Sequence, residues 1–217
     1  MVATTWAAVL GFVFSCACLA ELQKIEVTVE RKIGDRVERA EPNHVFEPGD
    51  LVRFRFKSSF NGFLYVMNQS TSGKSTVLFP KEDAGLDNRI ERDRAYVMPM
   101  TESGWFRVEG PPGYETLYWL VSPTTMAVPP LPTGPALNPA ITPRCDDTIF
   151  RSRGECLDDA AGAKPVLKGT EVPRDLGALA GPSPRELTMM KSDKKTSIVA
   201  NPGDGAPFFY IFRLAHK

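Results

Sequence analysis

Short runs in which apolar and polar residues alternate, each closed by turn residues, constrain the fold of this chain more than any other feature. In residues 25–31 an isoleucine and two valines alternate with two glutamates and a threonine, and in residues 51–57 valine and phenylalanine alternate with arginine and lysine. Successive side chains of a β-strand point to opposite faces, so each run predicts a strand with one buried face. The basic stripe Arg53, Arg55 and Lys57 is typical of a solvated outer face, and a binding surface is the less favoured interpretation.

Turn residues separate further short apolar segments along the chain. Residues 47–50, 69–74 and 110–113 predict turns, and Asn61-Gly62 predicts a tight hairpin. Residues 208–214 are so apolar and aromatic that they would aggregate if left exposed, and we therefore expect this strand to dock into the sheet. The other predicted strands are residues 63–67, 75–80, 89–99, 105–108 and 116–121.

Proline changes the character of the chain after residue 123. Residues 123–143 contain seven prolines, which lack the backbone N–H that a central strand needs. We therefore expect residues 123–205 to form an irregular insertion, with a helical turn at 174–179 and a short helix at 184–191 capped by Ser183. Seven or eight short strands predict an all-β sandwich, with residues 21–217 forming a single domain.

The same alternation selects the residues expected in or near the core. A register error of one residue would send the opposite set inward, so the selection depends on each run keeping its period. The predicted core residues are Phe54, Phe56, Leu64, Val66, Leu78, Phe106, Leu117, Trp119, Phe209 and Ile211.

The first twenty residues predict export. Residues 1–20 carry no charged side chain, and the apolar run 6–14 is shorter than the roughly 20 residues that a membrane-spanning helix needs. It is typical of a signal peptide, with small residues at Cys18 and Ala20 before cleavage at Glu21. A buried N-terminal helix is one alternative, and lipidation of Cys16 or Cys18 is another. We expect a periplasmic or extracellular protein, or a lipoprotein if one of these cysteines is lipidated.

Only two cysteines remain after the predicted signal peptide. Cys145 and Cys156 are an even pair in a chain expected to meet an oxidising compartment, which predicts a disulfide. Free thiols are the alternative. A zinc site is least favoured, because His44 and His216 show no ligand spacing relative to the cysteines.

Several motifs with possible chemistry favour structural interpretations. Gly73-Lys74-Ser75-Thr76 lacks the first glycine of a phosphate-binding loop and precedes a predicted strand, so a hairpin turn is expected. The acidic pairs 146–147 and 158–159 lack the spacing of a calcium loop. No motif joins either histidine to a serine and an acid. Asn68-Gln69-Ser70 is a glycosylation sequon, which matters only if the source glycosylates secreted proteins.

The order and spacing of several motifs resemble a known family, the domain of unknown function numbered 4384. The resemblance covers about residues 45–122, and Asp93 departs from it where a glycine is expected in a turn. It implies an immunoglobulin-like sandwich and an extracytoplasmic accessory domain, with no established activity and no catalytic residues to assign. The motifs are Pro48-Gly49-Asp50, residues 61–66, residues 77–80, Val97-Met98-Pro99 and residues 106–115.

These observations predict a non-catalytic, protein-binding accessory module of the bacterial cell envelope, with no cofactor and no metal. A balance of 26 basic and 26 acidic residues provides no electrostatic footprint for nucleic acid, and a membrane partner is expected only through lipidation. We expect another envelope or extracellular protein as the partner, met by residues 123–182 unless this segment merely covers a sheet edge. A structural subunit of an envelope or secretion assembly, paired through residues 208–212, is the alternative, and a hydrolase is least favoured.

Overall fold

The computed structural model describes residues 23–101, 104–133, 142–164, 173–176, 187–192, 195–200 and 207–217. The predicted signal peptide, with Cys16 and Cys18, lies outside the described residues. No helix within the described ranges is long and apolar enough to cross a membrane.

Two β-sheets of seven strands each form the fold. The first has the order β12-β13-β1-β4-β8, with β2 paired to β1 and β9 paired to β4. Its strands are β1 (Gln23–Ile33), β2 (Arg36–Ala40), β4 (Leu51–Ser58), β8 (Ala95–Met98), β9 (Phe106–Arg107), β12 (Leu187–Ser192) and β13 (Lys195–Ala200).

The second sheet has the order β11-β14-β10-β5-β6, with β3 paired to β14 and β7 paired to β5. All its described pairings are antiparallel except that of β3 with β14. Its strands are β3 (Val45–Phe46), β5 (Gly62–Gln69), β6 (Ser75–Phe79), β7 (Arg89–Ile90), β10 (Gly113–Ser122), β11 (Gly162–Lys164) and β14 (Phe208–His216).

Aromatic side chains join the two sheets face to face. The ring of Phe54 on β4 packs edge-on against Trp119 on β10 and Phe212 on β14, each with centroids 5.6 Å apart. Trp119 is fully buried and stacks on Tyr210. This layer is the principal core, and it confirms the predicted β-sandwich.

The predicted core is confirmed for β4, β5 and β10, while Leu78 and Phe106 are partly buried against it. Phe209 and Ile211 of β14 are also buried, as predicted, but in a second cluster. This cluster lies on the outer side of the second sheet, and Phe208, Tyr210 and Phe212 belong to the inter-sheet core. A strand buried on both faces carries no alternation from which to choose the inner one.

Described parts of the insertion 123–205 cover the outer face of the second sheet. The backbone N–H of Met126 donates to the Tyr65 hydroxyl at 2.8 Å, and that hydroxyl donates to the Met126 carbonyl at 2.9 Å. Leu176, in a helical turn that includes residues 174–176, is fully buried in the same cluster. The described parts of this segment therefore act as a second layer on the sheet.

The structure corrects three local predictions. The insertion 123–205 was expected to be irregular, but it contributes β11, β12 and β13. The helix predicted at 184–191 is wrong where the chain is described, because residues 187–192 pair as β12 with β13. Asn61-Gly62 does not form a hairpin: it carries the chain from one sheet to the other, and a Cβ on Gly62 would lie 2.8 Å from the Ser122 carbonyl oxygen.

Candidate binding groove and inter-sheet cleft

The free edge of β8 borders the larger of two concave surfaces that bear on function. β8 pairs with β4 on one side, and within the described residues no strand pairs with its other side. The groove beside it has a volume of about 700 Å³. Residues 95, 96 and 97 all line the groove, and consecutive residues of a strand point to opposite faces, so the groove follows the edge of the strand. We call this surface the β8 groove.

A tight turn at residues 91–94 builds one wall of the β8 groove. Asp93 has a φ of 61°, in the left-handed region, and its backbone N–H donates to the Ser58 carbonyl at 2.7 Å. The Glu91 backbone N–H donates to the Tyr96 hydroxyl at 2.8 Å. The Arg94 guanidinium lies over the Tyr96 ring, 5.2 Å from its centroid. These contacts fix the wall to the edge strand.

The opposite wall comes from the loop after β6. The Met100 backbone N–H donates to the Ala84 carbonyl at 2.7 Å, which holds the loop against the chain that follows β8. Ala84 is buried, whereas the Leu86 side chain two residues later is 70% exposed and lines the groove. The groove therefore offers an apolar contact between two anchored walls.

Three arginines line the β8 groove, Arg53, Arg89 and Arg94, and two of them have acidic partners. Arg53 and Arg55 each donate to Glu30 at 2.7 Å, and Arg94 lies 3.4 Å from Glu91. Arg89 lines the groove with no ion pair among the described residues. Arg89 is therefore available to a carboxylate of a partner, although the Asp87 carboxylate lines the same groove.

The Glu30 carboxylate holds the basic stripe of β4 in place. Burial is the largest influence on the pKa of Glu30 and would raise it, but the hydrogen bonds and charges of Arg55 and Arg53 together lower the pKa below its usual value. Arg53 also lies over the Trp105 ring, 4.4 Å from its centroid. The stripe that the sequence predicts as a solvated outer face is therefore an ion-paired one, and its first arginine reaches the groove.

The second concave surface is a cleft of about 240 Å³ at one end of the inter-sheet core. Apolar side chains of both sheets line most of it, and Asn68 on β5 and Glu115 on β10 line it as well. Both polar residues stand at inward positions, two residues from Val66 and Leu117 respectively. We call this surface the inter-sheet cleft.

Glu115 is the centre of a small polar cluster beside the inter-sheet cleft. Its side chain is 19% exposed, and its carboxylate accepts hydrogen bonds from the Asn68 amide nitrogen and, at 3.4 Å, from the Thr71 backbone N–H. The Nε2 of His216 lies 3.5 Å from Oε1 of Glu115. Neither ring nitrogen of the buried His216, nor Oδ1 of Asn68, has a hydrogen-bond partner among the described residues.

The residues that the sequence singled out have structural partners where they are described. Cys145 and Cys156 form a disulfide, which confirms that prediction. Asp146 caps the helix α1 (Asp147–Arg153) by accepting from the Thr148 and Ile149 backbone N–H groups at 2.9 and 3.0 Å. In the described ranges there is no group of three or more His, Cys, Asp or Glu residues that could hold a metal ion.

The remaining motifs are also placed by the fold. Gly73 lies in the turn between β5 and β6 with a φ of 84°, and Ser75 begins β6, so the predicted hairpin turn is confirmed. The sequon residue Asn68 faces the inter-sheet cleft, which is a poor position for a glycan. His44 packs edge-on against Phe46 and contacts Arg31.

Sequence reasoning did not identify either concave surface. The β8 groove combines β4, the loop after β6 and the chain around β8, so it depends on contacts between segments far apart in sequence. The sequence contains one indication of the inter-sheet cleft. Asn68 and Glu115 are polar residues that interrupt the apolar series at inward positions of β5 and β10. A polar residue at such a position needs a partner once it is buried.

Two packed, almost wholly antiparallel sheets with an open edge groove define the class of this protein as a two-layer β-sandwich domain. Residues 45–125 match the family model described as a domain of unknown function, DUF4384, which confirms the resemblance seen in the sequence. No curated protein and no solved structure matches the chain. The matched region contains all of the β8 groove and all of the inter-sheet cleft except Leu214.

Proposed function

We propose that this chain is an exported, non-catalytic binding module of the bacterial cell envelope, which takes an extended segment of a partner protein along the β8 groove. The observation that carries the proposal is the free edge of β8 bordering a groove of about 700 Å³. A strand edge presents unpaired backbone N–H and C=O groups to which an extended peptide can add as a further strand. An immunoglobulin-like arrangement of the two sheets is the finer description of the fold that we propose.

Backbone pairing would provide affinity in such a complex, while the walls of the groove would provide selectivity. Leu86 offers an apolar contact, and Arg89 offers a charge to a carboxylate. Met126 and Leu176 of the insertion 123–205 pack on the outer face of the second sheet, and this packing supports a covering role for the insertion rather than a partner-binding one. The β8 groove is therefore our preferred contact surface.

A site-specific photo-crosslinker in the native host tests this proposal. The crosslinking residue is placed at Ala95 in the β8 groove, at Val128 in the insertion 123–205, or at Asp35 in the exposed turn between β1 and β2. We expect a discrete crosslinked partner from Ala95 and none from the Asp35 control. Crosslinking from Val128 alone would assign the contact to the insertion, and equal yields from all three sites would contradict a specific groove.

Export is tested separately by the intact mass of the protein from its native host. The charge-free segment before Glu21 leads us to expect a mature chain that begins at Glu21. A diacylglycerol adduct on Cys16 or Cys18 would assign the lipoprotein form. Retention of residues 1–20 would contradict export by this signal.

The structural-subunit alternative receives no support from the last strand. β14 pairs with β10 along its whole length, and its other side pairs with β11 at residues 211–213 and with β3 at residues 215–216. Its aromatic side chains are buried within the domain. An assembly role would therefore require a different surface.

A further inference from the structure

We propose that the inter-sheet cleft binds a small organic ammonium ion, with the apolar body of the ligand between the two sheets and its cationic head at Glu115. The site is separate from the β8 groove and does not depend on the function proposed for that surface. Three features of the molecule support the proposal: the shape of the cleft, the placement of one carboxylate, and an acceptor atom that has no partner among the described residues.

The lining of the cleft selects an apolar body. Val52, Phe54 and Phe106 contribute from the first sheet, and Leu117 and Leu214 from the second. Small-molecule sites are typically concave and mostly apolar, with a few polar groups that fix the orientation of the ligand. A volume of about 240 Å³ limits the ligand to a small molecule.

Glu115 selects a positive charge. A carboxylate that is mostly removed from water normally has a cationic partner, because an uncompensated buried charge is strongly unfavourable. Among the described residues no lysine or arginine pairs with Glu115, and its nearest basic group is the His216 ring at 3.5 Å. Arg107 lines the cleft at its rim, but it lies 3.9 Å from Glu109 and donates to the Gly49 carbonyl at 3.3 Å.

Asn68 provides a second hydrogen-bond acceptor for the ammonium group of the ligand. Its amide nitrogen donates to Glu115, which leaves the amide oxygen as an acceptor. That oxygen is buried and has no partner among the described residues, although buried acceptors in folded proteins are nearly always satisfied. An ammonium group carries three donors and no acceptor, so it can serve the Asn68 oxygen and the Glu115 carboxylate together.

Three ligands of matched size test the charge and the body separately. Hexylammonium, hexanol and hexanoate are titrated into the folded protein, and amide chemical shifts are followed by NMR. We expect hexylammonium to shift resonances of residues 68, 115, 117 and 214 and to bind at least tenfold more tightly than hexanol, with no binding of hexanoate. Hexanol or hexanoate binding as tightly as hexylammonium would overturn the proposal, as would millimolar hexylammonium without shifts at the cleft.

Two variants assign the roles within the site. Glu115→Gln keeps the shape of the side chain and should weaken hexylammonium binding at least tenfold while leaving hexanol unchanged. Glu82→Gln is the matched control, because Glu82 is exposed in the loop after β6 and does not line the cleft, and it should change binding by less than twofold. Equal losses in both variants would overturn a specific role for Glu115.

A third variant protects the test against a failure of Glu115→Gln to fold. Leu78 is partly buried at the cleft, and Leu78→Trp should fill it and abolish the binding of both hexylammonium and hexanol. Retained binding in a folded Leu78→Trp protein would place the ligand elsewhere and overturn the proposal. A fourth ligand, Nα-acetyl-lysine methylamide, distinguishes the source: tighter binding than hexylammonium assigns the site to a lysine side chain, and weaker binding assigns it to a free amine.

Discussion

The hydroxyl of Tyr114 donates a 2.6 Å hydrogen bond to the carboxylate of Asp158, and this contact ties the disulfide-closed loop to β10. The same carboxylate accepts from the backbone N–H groups of Arg144 and Ala160, both at 2.8 Å. Burial is the largest influence on the pKa of Asp158 and would raise it, but these bonds together lower the pKa below its usual value. The loop is therefore held to the sheet by a charged acceptor that also lies beside its disulfide.

Tyr114→Phe should lower the free energy of unfolding by about 1.5–3 kcal/mol at neutral pH, because it removes a hydrogen bond to a charged group. The folded-state pKa of Asp158 is depressed, so its contribution is present above the unfolded value near 4 and is lost as the pH falls through the folded value. Urea denaturation at pH 7 and at pH 3 measures both effects. A double-mutant cycle with Asp158→Asn is the control, and a coupling energy near zero would show that the contact contributes nothing.

Removal of the disulfide should destabilise the protein by up to about 3 kcal/mol, the figure that the chain-entropy model gives for a loop of roughly this size. Cys145 and Cys156 are 11 positions apart in the sequence, and Asp158 fixes the same loop independently. The Cys145→Ser, Cys156→Ser double variant should therefore remain folded with a lower urea midpoint. Thiol counting on the denatured native protein is the direct measurement, and two reactive thiols in the unreduced chain would contradict the bond.

The fold was predictable from sequence wherever one face of a strand meets water. The alternation on β4 and β10 placed Phe54 and Trp119 in the core correctly. On β14 it correctly predicted that Phe209 is buried, but it did not separate the two faces: Phe209 packs in the cluster with Met126 and Leu176, and Phe208 and Tyr210 pack in the inter-sheet core. On such a strand, long-range packing decides which face contacts the other sheet, and the local alternation of residues does not reveal it.

The candidate sites were harder to predict from the sequence than the fold was. An edge strand can be recognised only when the order of strands in the sheet is known. The order of the first sheet includes β12 and β13, which come from a segment predicted to be helical or irregular. The pairing of β12 with β13 overrides the local signals that favoured a helix there. Asn68 and Glu115 lie one residue outside the predicted strands 63–67 and 116–121, and only the longer β5 and β10 of the structure give them inward positions beside Val66 and Leu117.

The wall of the β8 groove should depend on the backbone conformation of Asp93. Its φ of 61° is one that aspartate tolerates and a β-branched residue does not. Asp93→Val should lower the free energy of unfolding by about 1–2 kcal/mol, while Asp93→Gly should stay within about 0.5 kcal/mol of the native protein. Thermal and urea denaturation measure the difference.

Glu91→Val is the matched control for Asp93→Val. Glu91 is exposed in the same turn and its φ is not positive, so the change removes only a surface ion pair with Arg94, worth about 0–1 kcal/mol. If Glu91→Val destabilised the protein as much as Asp93→Val, the effect would come from the loss of charge and not from the backbone.

The free energy of unfolding should decrease as the pH is lowered, because His44 becomes protonated. Burial is the main cause that lowers the pKa of His44 to about 4, and the nearby charge of Arg31 adds to it. Nη1 of Arg31 lies 3.0 Å from Nε2 of His44, so the ring accepts a hydrogen bond that a protonated ring could not. The folded protein therefore resists a proton that the unfolded chain takes up near pH 6.5.

This difference in proton uptake determines the direction in which stability changes with pH. The contribution of His44 is fully present above the unfolded pKa near 6.5 and is lost progressively as the pH falls towards 4, by about 3 kcal/mol in total. Glu30 and Asp158 have lowered pKa values and remain ionised through most of this window, so they do not produce the loss. Urea denaturation of the native protein and of His44→Gln at pH 7.5 and 4.5 should show a smaller pH dependence in the variant, whatever its stability at pH 7.5. An NMR titration of the His44 ring is the direct control, and a midpoint near 6.5 would contradict the buried neutral histidine.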